Sequence, residues 1–78
     1  MTKSDEGLPA QLAVAGNVRA ALAEAGTTRK EVARRLQMSE GAFNSRCKGT
    51  RAFDVAQLQR VALVLDVPFS RLVTWEEK

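Results

Sequence analysis

The chain has 78 residues, enough for one small domain, and its apolar fraction of 45% is ordinary for a globular protein. It contains one cysteine, Cys47, and no histidine, which excludes an internal disulfide, a zinc site and a Cys–His catalytic pair, so we expect neither an enzyme nor a metal or other cofactor. No apolar run approaches the roughly 20 residues of a membrane span and the polar start MTKSDEG does not suit a signal peptide, so we expect a soluble, cytoplasmic protein.

The positive charge is concentrated in the middle of the chain. Residues 27–51 carry seven Lys or Arg against two Glu, a net charge of +5. Residues 1–26 carry two cations against three carboxylates, and residues 52–78 three against four, so each flank has a net charge of −1. Such a block attracts polyanions, although a solvated helix surface produces the same pattern.

The first predicted helix follows a leader, residues 1–7, that we expect to be disordered. Pro9 suits the first helical position, and Gly26 suits the residue just after the helix. The apolar residues between them recur at intervals near 3.6, which predicts an amphipathic helix. Its predicted inner face consists of Leu12, Val14, Val18, Leu22 and Ala25.

The second predicted helix is short and begins at a capping box. Thr28 and Glu31 have the T-x-x-E spacing in which the hydroxyl accepts from the Glu31 N–H and the carboxylate reaches back to the Thr28 N–H. Arg34 and Arg35 point outward, and the helix stops around Gln37. Its predicted inner face consists of Val32, Ala33 and Leu36.

The third predicted helix has very little apolar surface. Ser39 is its expected N-cap, Met38 is placed to pack on Phe43 as a hydrophobic staple, and Gly49 ends it. Phe43 and Cys47 alone give it an apolar stripe, while its other positions are small, polar or basic. A helix that buries so little presents its remaining face to a partner.

The last part of the chain predicts two further helices and a short tail at 75–78. Asp54 caps the fourth helix, and the run VALVL at 61–65 is assigned to it because the helical periodicity begins six residues earlier and no second strand is available to pair with it. Its predicted inner face consists of Val55, Leu58, Val61, Ala62 and Leu65. A last short helix contains Phe69, Leu72 and Val73. The apolar surplus that either closes the core or serves a dimer comprises Val64, Val67, Phe69 and Val73.

Five helices with a tight, angled junction between a basic second and third helix describe a helix-turn-helix. The segments TTRKEVARRLQMSEGAFNSRCKGTRAF and LQRVALVLDVPFSRLV resemble the phage repressor and Cro family, also called XRE-like, over about 14–73. The resemblance implies an all-α, five-helix lambda-repressor-like DNA-binding domain over residues 8–74. Ala33 and Gly49 stand where the family places alanine and glycine, whereas Gln37 replaces the usual turn glycine and Arg46 a frequent apolar residue.

The resemblance also implies which residues touch DNA. The expected base-reading residues on the third helix are Glu40, Gly41, Asn44 and Ser45. The expected phosphate-contacting residues are Thr28, Arg29, Ser39, Lys48 and Arg51. Asn44 would pair with adenine N6/N7 and Glu40 would accept from cytosine N4, although Glu40 equally serves to complement the helix dipole. Arg46 is open between a phosphate contact and a stem packed along the core.

The function expected from these residues is a sequence-specific regulator of transcription that binds operator DNA through the major groove, a phage or prophage Cro-like protein or repressor. A homodimer is possible, and no small-molecule ligand is expected. The alternatives are a DNA-binding antitoxin, a protein-interaction module on the same fold, and a non-specific nucleic-acid coat. Two residues keep alternatives of their own: Cys47 as a buried hydrophobe or a redox sensor, and Trp75 folded back on the core or placed in a dimer interface.

Overall fold

The computed structural model describes residues 7–75, with side chains from residue 10 onward, and these residues form five α-helices and no strand. The helices are α1 (Gly7–Ala25), α2 (Arg29–Leu36), α3 (Glu40–Lys48), α4 (Val55–Leu65) and α5 (Phe69–Leu72). The predicted all-α fold with five helices is confirmed, and residues 61–65 belong to a helix. The predicted leader, apart from Gly7, and the last three residues of the predicted tail lie outside the described residues. None of the five helices combines the length and apolarity needed to cross a bilayer.

The start and the inner face of α1 differ from the prediction. The helix begins at Gly7, two residues before Pro9, which lies in the first turn where its missing N–H has no intrahelical partner to lose. Leu12 is 54% exposed because it lies about 120° around the helix from the buried Val18. Ala25, the last residue of α1, is also exposed. The buried face of α1 consists of Ala15, Val18, Ala21 and Leu22.

The other helices bury most of the residues predicted to face inward. The predicted inner face of α2 is confirmed, as is the stripe of Phe43 and Cys47 on α3. Val55 was expected inside but is 63% exposed, because it is the first residue of α4 and no other helix covers it. The core residues contributed by α4 and α5 are Leu58, Val61, Ala62, Leu65 and Leu72.

Side chains cap the helix starts as their sequence positions indicate, with one difference. Thr28 accepts a hydrogen bond from the Glu31 N–H at 3.1 Å, but the Glu31 carboxylate pairs with Arg34 instead of returning to the cap. The reciprocal half of that capping box was therefore predicted wrongly. The full box occurs at α4, where Asp54 and Gln57 exchange both hydrogen bonds.

The junction between α2 and α3 closes around a residue in the left-handed conformation. Gln37 has φ 60° and ψ 39°. The Met38 N–H reaches back to the Ala33 carbonyl at 2.9 Å and the Gln37 N–H to the Arg34 carbonyl at 3.1 Å, which satisfies the carbonyls at the end of α2. Met38 itself packs against the core. The turn thus has its left-handed residue although glycine is missing.

Replacing Gln37 by glycine is expected to stabilise the domain by about 0.5–1 kcal/mol, because glycine has no steric cost in the left-handed conformation. The larger conformational entropy that glycine loses on folding offsets only part of this gain. The matched control is Gln59→Gly, the same substitution at an exposed position inside α4. It is expected to destabilise by about 0.5–1 kcal/mol. Urea unfolding of both variants measures the difference, and equal destabilisation of the two would contradict the strained turn.

The C-terminal segment folds back onto α1. Asn17 donates both side-chain N–H groups, to the carbonyls of Leu72 and Thr74, each at 3.0 Å. Trp75 lies next to this anchor and is half-buried, in keeping with the folded-back alternative. The apolar surplus of the sequence packs partly buried against the core: Val64, Val67, Phe69 and Val73. These four residues therefore complete the core of the single chain.

Candidate nucleic-acid interface

The helix α3 presents one polar face and buries the opposite stripe. Phe43 and Cys47 are fully buried, and Gly41 and Ser45, each two residues from one of them, lie on the opposite side of the helix, about 200° around it. Glu40, Gly41 and Lys48 are exposed. Among the described residues, the exposed large hydrophobic side chains are those of Leu12, Val55 and Leu63, none of which belongs to α2 or α3. The face that α3 leaves open is thus polar and followed by cations.

The N-terminal ends of α2 and α3 are both capped and exposed. Ser39 accepts from the Ala42 N–H at 3.1 Å and caps α3, as Thr28 caps α2, and both capping residues are exposed. The remaining free N–H groups of a helix start attract anions. Gly41 lies in the first turn of α3, and a Cβ atom added there would meet nothing within 4 Å. The packing of the chain therefore does not require glycine at this position.

Arg29 and Asn44 are joined across the two helices. The Nη1 of Arg29 donates to the Oδ1 of Asn44 at 3.3 Å, and both side chains are half-buried. The sequence prediction placed these residues in separate roles, one at a phosphate and one at a base. The structure brings them together because the turn at Gln37 folds the start of α2 against the middle of α3.

The backbone after α3 is organised by the carbonyl of Ser45. This oxygen accepts from the Thr50 N–H at 3.1 Å, the Arg51 N–H at 3.3 Å and the Thr50 hydroxyl at 2.9 Å. The Ser45 hydroxyl donates to the Gly41 carbonyl at 3.1 Å, so its lone pairs are what it offers to a partner. Ser45 thus carries a polar group on the open face and also fixes the turn that leads to Arg51.

The end of α3 is held by donors from α1. Gly49 adopts φ 89°, and its carbonyl accepts from Gln11 at 2.7 Å. Arg19 donates to the Cys47 carbonyl. Neither contact was predicted from the sequence, since nothing local marks Gln11 or Arg19 as partners of a helix end so far along the chain. These contacts fix α3, including its cationic end, to α1.

Two exposed cations lie at and just after the C-terminal end of α3, Lys48 and Arg51. Within residues 10–75 the ion pairs are Arg34 with Glu31 and Arg71 with Glu24, and neither involves Lys48 or Arg51. Each pair lowers the pKa of its glutamate through the hydrogen bond from the arginine. The two cations after α3 therefore keep charge available for an anionic partner.

Arg46 folds back along its own helix. Its Nη1 donates to the Ala42 carbonyl at 2.9 Å, its side chain is half-buried, and its Nε is buried without a hydrogen-bond partner among the described residues. Cys47 next to it fills the fully buried position. The side chain of Arg46 thus packs along its own helix, as the packed-stem alternative describes. A phosphate contact by Arg46 stays a prediction.

The comparison with protein families agrees with this geometry. The sequence profile of the helix-turn-helix family matches residues 18–72, which is well over half of the chain and includes all of α2 and α3. The chain belongs to the XRE-type helix-turn-helix family. This family consists of DNA-binding regulators and is not typically enzymatic. No curated protein and no solved structure matches the chain.

The family match leaves the roles of single residues as predictions, but the structure separates two readings of Cys47. Its side chain is fully buried, and burial raises the pKa of the thiol while Arg29 and Arg19 act weakly in the opposite direction. Because a thiolate is the reactive form, a buried thiol with a raised pKa is inert. The position is that of a small core residue, as the first of the two sequence alternatives describes.

We expect labelling of Cys47 by a disulfide reagent at pH 8 to be roughly 10³-fold slower in the folded protein than in denaturant, because the thiol reacts only after the protein opens around it.

The raised pKa of Cys47 also predicts how stability depends on pH. Since the pKa of the thiol is higher in the folded than in the unfolded protein, Cys47 contributes stability below its unfolded pKa, and that contribution is lost as pH rises through the folded pKa. The free energy of unfolding should therefore fall above about pH 8.5. Cys47→Ala should lack this component, and fast labelling of the folded protein would favour a redox role.

Proposed function

We propose that this protein is a sequence-specific regulator that binds an operator in double-stranded DNA, with α3 in the major groove and the N-terminus of α2 at the phosphate backbone. The observation that carries the proposal is the open face of α3. It is polar and capped at its start, and it ends in two exposed cations, Lys48 and Arg51, that have no ion-pair partner within residues 10–75. The net charge of +5 over residues 27–51 supports the same partner.

The proposed roles are those that the resemblance to the family implies for these positions. Base edges are read by the polar face of α3: Glu40, Gly41, Asn44 and Ser45. Phosphates are bound by the helix starts and the cations: Thr28, Arg29, Ser39, Lys48 and Arg51. Phosphate contacts set affinity and orientation, and base contacts set sequence preference. No catalytic step is assigned to any of these residues.

We also propose the finer biological role, a phage or prophage Cro-like protein or repressor that works in the cytoplasm of a bacterial host by excluding polymerase from an operator. A homodimer would place two recognition helices on half-sites about 34 Å apart. The described part of the chain has extents of 38 × 23 × 20 Å, so two copies side by side can span this spacing. Because a dimer would bind two half-sites, the symmetry of the operator reports whether the protein dimerises on DNA.

The absence of large apolar side chains from the exposed face of α3 counts against a protein-interaction module that uses this helix. Such a module would need a hydrophobic core of contacts at its centre. Here the described large hydrophobic residues with high exposure are Leu12, Val55 and Leu63, which lie on α1 and α4. Two alternatives remain: a non-specific coat, which needs only the cations, and a DNA-binding antitoxin, which would use the same face.

Selection from a random duplex library is expected to recover a defined motif, and a salt titration should then show a large affinity gap between that motif and a scrambled duplex. A palindromic motif would report a dimer and a single half-site a monomer. If both duplexes bind equally with the same steep dependence on salt, the protein binds phosphates alone and the sequence-specific function is wrong. If no duplex binds, the whole proposal of DNA recognition is wrong.

A further inference from the structure

The hydrogen bond between Arg29 and Asn44 fixes the orientation of the Asn44 amide. A guanidinium group carries five N–H donors and no acceptor, so only the oxygen of the amide can face it. The Oδ1 of Asn44 therefore points to Arg29, at 3.3 Å from Nη1. The Nδ2 lies on the other side of the planar amide, and no residue within 10–75 accepts a hydrogen bond from it.

The surroundings leave this amide accessible from the open face of α3. Gly41 lies one helical turn before Asn44 and has open space where a side chain would stand. Ser45, the next residue, donates its hydroxyl proton to the Gly41 carbonyl. It therefore does not compete with Asn44 as a donor to the acceptor atoms of a base. A base edge that approaches here meets the Asn44 N–H₂ group and the guanidinium behind it.

We propose that Arg29 determines which base Asn44 reads, and that the pair selects guanine over adenine. The inference rests on the proposed function, since it assumes that α3 lies in the major groove. A free asparagine pairs with adenine by accepting from N6 and donating to N7. Oδ1 keeps a second lone pair, but while it points to Arg29 the amide turns its N–H₂ group to the groove, so the adenine N6 amine meets a donor where it needs an acceptor. Guanine presents two acceptors, O6 and N7, which suit the two N–H donors of the Asn44 amide.

This assignment changes the sequence-based expectation that Asn44 reads adenine, and it gives Arg29 a second task besides phosphate contact. Arg29 acts here as a positioning residue, because its effect on the base passes through the amide of Asn44. It has further N–H groups for a phosphate, since one of its five donors makes the bond to Asn44. Loss of Arg29 should therefore alter both overall affinity and base preference.

The experiment compares Arg29→Met with Lys30→Met. Both variants lose one positive charge from α2, but Lys30 is exposed and has no role in the proposed interface. The base pair read by Asn44 is first located as the position whose preference Asn44→Ala abolishes. Binding is then measured on duplexes that differ only at that position, with guanine or adenine.

We expect the wild-type protein to prefer guanine by about ten-fold at that position, the size of one good base contact. Arg29→Met should bind both duplexes more weakly and lose or reverse the preference, whereas Lys30→Met should keep it. In the Asn44→Ala background, Arg29→Met should have no further effect on preference. Wild-type preference for adenine, or an unchanged guanine preference in Arg29→Met, would overturn the proposal while leaving sequence-specific binding intact.

The free protein provides a readout that needs no DNA. The side-chain amide resonances of Asn44, assigned by their loss in Asn44→Ala, should shift in Arg29→Met and stay in place in Lys30→Met. If these resonances are the same in all three proteins, the contact does not exist in solution and the inference fails at its first step. If they shift but the wild type shows no sequence preference on any duplex, the proposed function fails, and with it the role of Arg29 in specificity.

Discussion

Phe43→Ala is expected to cost about 3–5 kcal/mol of folding free energy, because the ring is fully buried and its removal leaves a cavity. The ring also meets Phe53 edge to face, with centroids 5.9 Å apart and planes at 68°. A domain of this length has a total stability of about 4–12 kcal/mol. The variant should therefore lose at least about a quarter of that stability, and all of it if the wild type lies at the lower end, as measured by circular dichroism in a urea titration.

The functional consequence is expected to be as large as the structural one. The helix α3 has nine residues, too few to be stable on its own, and Phe43 with Cys47 supplies its whole buried stripe. Without that anchor the polar face of α3 has no fixed orientation, so DNA binding should be lost together with folding. Phe43→Leu keeps an apolar side chain in place and should retain both, at reduced stability.

Leu63→Ala is the control for side-chain truncation as such. Leu63 is 80% exposed, so its loss should change the free energy of unfolding by no more than about 0.5 kcal/mol. Phe43→Ala with wild-type stability would show that the core does not form around this ring. It would also remove the basis for the position assigned to α3.

Asn44→Ala and Lys48→Ala are expected to weaken DNA binding in two distinguishable ways. In the proposed complex the face of α3 that carries Asn44 is turned toward the bases, so the loss of this side chain should cost about 1–3 kcal/mol on the selected duplex and relax preference at one base pair. Lys48 is an exposed cation at the helix end, so its loss should weaken selected and scrambled duplexes alike. The salt slope should then fall by about 0.9.

Gln59→Ala and Lys30→Ala are the matched controls for the two changes. Gln59 is an exposed amide on α4, and Lys30 an exposed cation on α2 outside the proposed contact set. The first should leave binding unchanged, and the second should leave sequence preference unchanged. Wild-type binding by both Asn44→Ala and Lys48→Ala, to selected and random DNA, would mean that α3 does not enter the groove.

The contacts from α1 give α3 a support that the helix-turn-helix alone does not have. Gln11 and Arg19 donate to carbonyls at the C-terminal end of α3, where free carbonyls would otherwise need water. The positive charge of Arg19 also suits this end because of the helix dipole. The open face of α3 is consequently held from two sides, by the turn at Gln37 before it and by α1 after it.

The sequence by itself determined the features that depend on neighbours three or four residues away. Thr28, Ser39 and Asp54 cap helices as predicted, since a capping side chain bonds to a backbone N–H of its own first turn. Gly26 and Gly49 end helices with positive φ, as glycine after an amphipathic run indicates. The order and type of all five helices, and the buried stripes of α2 and α3, follow from the same local rules.

Only the tertiary structure decided which distant groups meet. Leu12 and Val55 fit the apolar periodicity but lie outside, because burial depends on which neighbour covers a helix face and not on the residue type. Arg29 joins Asn44 across 15 residues, and Gln11 joins Gly49 across 38, through contacts that no local spacing encodes. The amide orientation of Asn44, on which its proposed base preference depends, belongs to this second class because it is set by a partner on another helix.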